Sequence, residues 1–324
     1  MMDQYGRKID YIRISITDRC NLRCVYCMPE EGVEMLRHED ILSYEELLRL
    51  TEAFAILGIK KVKLTGGEPL VRQGVMDFFR KMKAIPGIDY VSITTNGVLL
   101  KKMGPELLEA GIDGINISLD TLDRQRFAEL TRRDELAEVL EGIYWLLEHH
   151  YPNLKLNAVP MKPGGEEDIL ALAEMARRHP LHVRYIELMP IGEGKEYKGY
   201  GEGEIRQILE SRYGPSEPYT GVLGSGPANY VSFPGFQGKI GFIDPISDKF
   251  CRSCNRIRLS CTGFLKLCLH HNRGQNIRPL LGHDPNPEEL ARQIEGIINQ
   301  KPWEHSFGKD TPTEDNKRMH QIGG

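Results

Sequence analysis

Six times over, a short run of alternating apolar and polar residues is followed by a stretch with helical patterning, and no other property of this chain narrows its fold so far. Residues 9–17 set Ile12, Ile14 and Ile16 on one face and Tyr11, Arg13, Ser15 and Thr17 on the other. The pattern returns with Val62 and Leu64 against Lys61, Lys63 and Thr65, and with Val91 and Ile93 against Ser92, Thr94 and Asn96. It recurs with Ile115, Ile117 and Leu119 against Asn116, Ser118 and Asp120, and two less regular strands are expected at 154–161 and 182–188. Helices are expected over 43–58, 74–84, 104–110, 123–150 and 166–178, the first opened by Ser43 as an N-cap with Glu45 and Glu46 behind it. Strand then helix, repeated, implies a parallel α/β sheet. Strands sandwiched between two helix layers would be apolar on both faces. These have one polar face, which predicts a barrel, or an open partial barrel, whose polar interior is a binding cavity.

After residue 192 the rhythm stops. A Gly-, Glu- and Tyr-rich stretch carries one expected helix near 203–213; short strands and turns follow over 228–270, then a helix near 286–299 and a polar tail ending in Gly323-Gly324. The boundary falls within 192–215, and we divide the chain into 1–200 and 201–324. The longest apolar runs, such as Ile143–Leu147, are far below the ~18 residues of a spanning helix. No apolar segment near the N-terminus has the length of a secretion signal. A formal net charge of -4 gives no footprint for nucleic acid or an anionic membrane. A cytoplasmic protein with neither partner is expected.

The seven cysteines fall in two groups more than two hundred residues apart. Cys20-x3-Cys24-x2-Cys27 follows directly on the first strand. Three thiolates at this spacing hold an iron–sulfur cubane by three corners and leave one iron open, whereas a structural zinc would need a fourth ligand. The second strand ends in Gly66-Gly67-Glu68-Pro69, where consecutive glycines admit close approach to the backbone. Triad, Tyr26 before its last cysteine, and GGEP together resemble the radical S-adenosylmethionine (SAM) superfamily. That resemblance implies a [4Fe-4S] cluster whose open iron is chelated by SAM and whose reduction releases a 5′-deoxyadenosyl radical.

Cys251-x2-Cys254-x13-Cys268 is a second triad, read either as a second open cluster or as a zinc site completed by His270 or His271. Cys261 alternates with Ile257 and Leu259 and is expected in the core, with Arg256 and Arg258 on the opposite face. Arg256 and Arg258 join Arg13, Lys61, Lys63, Lys155 and Arg184 as cations on expected strands. So many cations on one interior face call for a polyphosphate or polycarboxylate.

Over nearly its full length the chain resembles the GTP 3′,8-cyclases, the A proteins of molybdenum cofactor biosynthesis. The likeness runs through Arg13-Ile14-Ser15-Ile16-Thr17-Asp18-Arg19-Cys20, Leu64-Thr65-Gly66-Gly67-Glu68-Pro69, Thr94-Thr95-Asn96-Gly97, Asn116-Ile117-Ser118-Leu119-Asp120, Cys251-Arg252-Ser253-Cys254-Asn255-Arg256-Ile257-Arg258 and the terminal Gly323-Gly324. It implies an incomplete (β/α)6 TIM-like barrel closed by a C-terminal α+β region, with two [4Fe-4S] clusters on Cys20, Cys24, Cys27 and on Cys251, Cys254, Cys268. The reaction implied is that of a lyase: the adenosyl radical takes the ribose 3′ hydrogen of GTP, and C3′ adds to guanine C8. SAM contacts are carried to Tyr26, Gly67, Ser118 and Met189, and GTP contacts to Arg13, Lys63, Thr94, Lys155, Arg256, Ile257 and Arg258. Catalytic roles are carried to Arg13, Arg256, Arg258, Gly323 and Gly324, the glycine tail reaching into the active site. The implied partners are a downstream cyclic pyranopterin monophosphate synthase and an electron donor of unknown identity, the chain being a monomer or homodimer. Lys63 stands where the family often carries Arg, keeping the charge and losing the planar fork. Pro163-Gly164-Gly165-Glu166 also departs from the family's usual loop. Two other readings are a peptide-modifying radical SAM enzyme with two clusters and a zinc-stabilised nucleotide-binding module.

Overall fold

A computed structural model describes residues 1–282 and 284–307. The N-terminal elements are β1 (Tyr11–Ser15), α1 (Tyr44–Ile56), β2 (Lys61–Thr65), α2 (Val75–Lys83), β3 (Tyr90–Thr95), α3 (Leu100–Glu109), β4 (Gly114–Ser118), α4 (Arg124–Thr131), α5 (Leu136–Glu148), β5 (Leu154–Ala158), β6 (Met161–Lys162), α6 (Gly165–Arg178) and β7 (His182–Ile186). There follow β8 (Lys198–Gly199), α7 (Glu202–Tyr213), β9 (Glu217–Tyr219), β10 (Asn229–Ser232), β11 (Ile240–Ile243), β12 (Arg256–Leu259), β13 (Phe264–Lys266), β14 (Gly274–Asn276) and α8 (Pro287–Ile298). Strands β1, β2, β3, β4, β5 and β7 lie side by side and parallel, the six-strand core expected of the partial barrel.

The C-terminal region extends this sheet at both edges. β12 pairs parallel with β1, and β11 parallel with β7, each followed outward by antiparallel strands, so the order runs β14-β13-β12-β1-β2-β3-β4-β5-β7-β11-β10-β9. β6 and β8 form a separate two-stranded ribbon.

The apolar faces read from the sequence form the core. Ile12, Ile14, Val62, Leu64, Val91, Ile93, Ile115, Ile117, Leu156 and Val183 are all 0 % exposed, against Leu47, Leu50, Phe54, Phe79, Met82, Ile143, Ile169 and Leu172 of the covering helices. Each such side chain contributes roughly 1.5–3 kcal/mol by leaving water. Local signals fix the helix starts: Ser43 and Glu46 form a reciprocal capping box, and Asp123 and Asn286 cap α4 and α8.

Two expectations change. The helix expected over 123–150 is two, because Arg132 adopts a left-handed conformation (φ 56) between α4 and α5. That bend lets Arg132 Nη1 donate to the carbonyls of Arg23 (3.1 Å) and Met28 (2.9 Å), while Arg23 N and Val25 N donate to the carbonyls of Thr131 and Leu130. The end of α4 is spent on holding the cysteine loop. Lys61 shares the polar face of β2 but, at its first position, bonds Asp10 at 3.2 Å and does not line the central cavity. Cys261 is 2 % exposed, as expected of a core thiol, and its burial pushes the thiol up to about 11.

Candidate functional site

A cavity of about 310 Å³ occupies the polar side of the sheet. Alternate residues of successive strands line it: Arg13, Lys63, Ser92 and Thr94, Asn116 and Ser118, Lys155 and Asn157, then Arg184. Arg256 and Arg258 of β12 complete the row, standing in register with Tyr11 and Arg13. The period-two pattern is thus the lining of one void.

Cys20, Cys24 and Cys27 line one end, at the C-terminal side of β1, together with Tyr26, Gly67, Ser118 and Met189. β7 stops at Ile186, so Met189 reaches the lining from the turn beyond it, which reconciles its parity with that of Arg184. A Cβ on Gly67 would lie 2.4 Å from Arg19 O, and one on Gly66 2.8 Å from Thr17 O. The close approach that these glycines permit is therefore that of the chain's own cysteine loop. Glu68, 1 % exposed, accepts from Leu70 N (3.0 Å), Thr95 Oγ1 (2.8 Å) and Asn96 N (2.6 Å), and burial lifts its carboxyl to about 7 against those bonds. Asn96 in turn donates to Asn21 Oδ1 at 2.7 Å and to Cys20 Sγ at 3.8 Å. Tyr26 OH donates to Asp120 Oδ2 at 2.7 Å, and burial raises Asp120 to about 6. Burial, then the neighbouring Cys27, Asp120 and Cys20, pushes the Cys24 thiol well above its ordinary range.

The second triad lies at the opposite end of the same strands. Cys20 follows the end of β1, whereas Cys254 precedes the start of β12, which runs parallel to β1; Cys268 follows β13, antiparallel to β12, and so returns to the Cys254 end. A strand of five residues at about 3.3 Å each separates the ends by roughly 16 Å. Cys251, Cys254 and Cys268 are not themselves in the cavity lining, but Phe250, Arg256 and Leu269, one or two residues from them, are. Arg7 donates to the carbonyls of Cys251 (3.1 Å), Pro302 (2.9 Å) and Trp303 (2.8 Å) while paired with Asp3 at 2.7 Å. Lys301, 2 % exposed, donates to the carbonyls of Arg256 and Leu267. Burial alone would raise the Cys254 thiol; Lys301, Arg256 and Arg7 outweigh it and hold the thiol below its ordinary value.

The lining as a whole carries six cations, Arg13, Lys63, Lys155, Arg184, Arg256 and Arg258, and two carboxylates, Asp120 and Glu187. Burial first, then repulsion from Arg184, Arg13, Lys155 and Arg256, drives the Lys63 ammonium far down. Burial and Arg184 bring Lys155 to about 8. Arg184 is fixed by Asn157 Oδ1 (2.8 Å) and Asn116 Oδ1 (2.7 Å). Arg256 Nε is buried without a hydrogen-bond partner among the described residues. An anion inside the row offsets this repulsion and lets the lysines keep their charge.

Residues 14–176 match the radical SAM superfamily, and residues 181–307 match the family described as Molybdenum Cofactor Synthesis C. A GTP 3′,8-cyclase of Clostridium perfringens is 44% identical over 324 residues, covering 100% of both chains, and one of Syntrophomonas wolfei is 42% identical over 327 residues, again covering 100% of both. The chain belongs to the GTP 3′,8-cyclase family. Its fold is shared with Streptococcus suis SuiB, at TM-score 0.63 and 14% identity, covering 93% of this chain and 68% of that one. SuiB bound to S-adenosylmethionine aligns at TM-score 0.60 and 16% identity, over 90% of this chain and 72% of that one.

The donor sets fit the cofactors that this cyclase family uses. All six triad cysteines are free thiols, and the first three open onto the cavity that would receive SAM. Among the described residues no three His, Cys, Asp or Glu side chains form a site for one metal ion. Also among the described residues, no helix is long and apolar enough to cross a membrane. Of the residues carried over from the cyclases, Ile257 is 1 % exposed in the core and does not line the cavity, so its approach to a ligand is limited to its main chain. Gly323 and Gly324 lie outside the described residues. Sequence reasoning placed Arg184 among the cations of the interior face but assigned it no ligand contact, and it missed Glu68, Asn96, Arg7 and Lys301 in their holding roles.

Proposed function

We propose that this chain is a radical SAM GTP 3′,8-cyclase, an enzyme that converts GTP to (8S)-3′,8-cyclo-7,8-dihydroguanosine 5′-triphosphate as the first step of molybdenum cofactor biosynthesis. The observation that carries this reading is the placement of two cysteine triads at opposite ends of one set of parallel strands, with six cations between them. When bound, a [4Fe-4S] cluster on Cys20, Cys24 and Cys27 together with SAM supplies the 5′-deoxyadenosyl radical that abstracts the ribose 3′ hydrogen.

The chain's own residues do the rest. Tyr26, Gly67, Ser118 and Met189 hold SAM at the first end, with Asp120 fixing the Tyr26 ring through its hydroxyl. Arg13, Lys63, Lys155, Arg256 and Arg258 neutralise the triphosphate, and Thr94 orients the nucleotide from β3. Cys251, Cys254 and Cys268 would hold the second [4Fe-4S] cluster, and Arg256, two residues from Cys254, ties that cluster to the nucleotide pocket. Binding both reactants in one void aligns C3′ and C8. Residues 1–200 thus carry the SAM end, and 201–324 carry the second triad and the strands that flank the barrel. Product passes in the cytoplasm to a synthase that forms cyclic pyranopterin monophosphate, and an external electron donor supplies reducing equivalents.

The test is anaerobic incubation of reconstituted protein with SAM, a reductant and GTP. The expected result is 5′-deoxyadenosine together with the cyclised nucleotide; two zinc ions, no sulfide and no SAM cleavage would end the proposal. A peptide-modifying activity is disfavoured by the six-cation lining, which suits a polyphosphate.

A further inference from the structure

One stretch of the cavity wall has no part in the reading above. Residues 223–227, Leu-Gly-Ser-Gly-Pro, lie between β9 and β10 outside any helix or strand, and all five line the cavity. Gly224 has φ +114, in the region that side chains rarely adopt. A Cβ on Gly224 would stand 3.8 Å from Lys155 Nζ, and one on Gly226 would stand 3.9 Å from Arg184 Nη1. The loop therefore faces the two cations on the β5 and β7 side, across from the group on β1, β2 and β12.

Lys155 is the second, independent sign of a ligand here. It is 2 % exposed, lines the same cavity, and its ammonium has no hydrogen-bond or ion-pair partner among the described residues. Burying an ammonium without a counter-charge is costly, and the neighbouring Arg184 makes it more so. An anion beside Lys155 removes that cost. The loop offers what ammonium and guanidinium alone lack: main chain that no Cβ shields at two of three successive positions, and a hydroxyl on the third. Main-chain N–H groups in a glycine-rich turn are suited to phosphate oxygens.

We propose that Leu223–Pro227 is a phosphate-binding loop, in which the N–H groups of Gly224–Gly226 and the Ser225 hydroxyl take the outer phosphates of the nucleotide against Lys155 and Arg184. The loop makes the number of phosphates a determinant of binding. This rests on the reading of the cavity as a GTP site.

The test is anaerobic equilibrium binding of GTP, GDP and GMP, and separately of SAM, to cluster-loaded wild type, Ser225→Glu, Ser225→Ala and Gly226→Val. Ser225→Glu sets a carboxylate against the outer phosphates and should weaken GTP about tenfold or more, with GMP changed less than about twofold. Ser225→Ala, the change least able to disturb folding, should weaken GTP by a few-fold with GMP unmoved. Gly226→Val fills the gap before Arg184 and should also act on GTP before GMP. Equal losses for GTP and GMP, unchanged GTP binding, or a fall in SAM affinity would overturn the loop's role. Wild type that binds GMP and GDP as tightly as GTP would overturn it as well, whereas wild type that binds no guanine nucleotide would sink the cyclase reading itself.

Discussion

The two ends of the cavity are held by different mixtures of charge. Around Cys20, Cys24 and Cys27 carboxylates and guanidinium groups share the task of fixing the backbone: Glu68 gathers three donors, Asp120 accepts from Tyr26 and Val159 N, and Asp18 accepts from Leu36 N, while Arg23 and Arg132 donate to carbonyls of the loop. Around Cys251, Cys254 and Cys268 the task falls to cations, Arg7 and Lys301, which gather carbonyls from the turns on either side. The thiols differ one by one: burial first pushes Cys24 and Cys251 up, whereas Lys301 and Arg256 outweigh burial and hold Cys254 down. Under the proposed function the cationic SAM would meet the end that carries Asp120, and the anionic nucleotide the row of arginines that begins beside the second triad.

The largest expected effect separates the two ends outright. Cys24→Ser should abolish both SAM cleavage and product, while Cys251→Ala should abolish product and leave 5′-deoxyadenosine formation measurable. Equal product from Cys251→Ala and wild type would erase the distinction. Next, Arg256→Ala and Arg258→Ala should each weaken GTP binding about tenfold or more while iron content stays at the wild-type level. Wholesale iron loss in either variant would make these arginines part of the cluster end instead.

Lys301→Met removes a buried ammonium and strands the carbonyls of Arg256 and Leu267. It should cost about 2–4 kcal/mol, read as a lower Tm, and release iron from the second site before the first. The smallest effect is a pH slope at the end that holds Glu68. Burial raises Glu68 above its unfolded value to about 7, so the folded chain holds this proton more tightly than the unfolded chain. Its contribution is fully present below the unfolded pKa and is lost as pH rises through about 7. Denaturant unfolding of iron-free wild type and Glu68→Gln between those limits should show a shallower slope in the variant.

The period-two signal was highly legible. Residues 61–65 were read as a strand and are one, and Arg13, Lys63, Ser92, Asn116 and Lys155 all line the cavity from the faces assigned to them. Alternation reports direction relative to a residue's own strand, and little else. It could not tell that Lys61, on the same face as Lys63, would meet Asp10 below the void, since that depends on height along the strand. The break at Arg132 was hidden because the whole stretch 123–150 has helical patterning; the bend is imposed by the cysteine loop, a hundred residues away in sequence. Arg7 and Lys301 were illegible for a related reason: each serves carbonyl groups, and a carbonyl leaves no trace in residue type. The 223–227 loop carried a glycine-rich signature, but nothing local said which cavity it would face.

A barrel that never closes leaves two outermost strands with unpaired backbone, and such borders recruit strands from other molecules. Here both borders are poor templates. β9 is three residues long with Pro218 at its centre, and β14 is the fully exposed Gly274-Gln275-Asn276. Among the described residues the long hydrophobic strands are all interior, so the borders of the open sheet give copies of the molecule little on which to grow into a fibre.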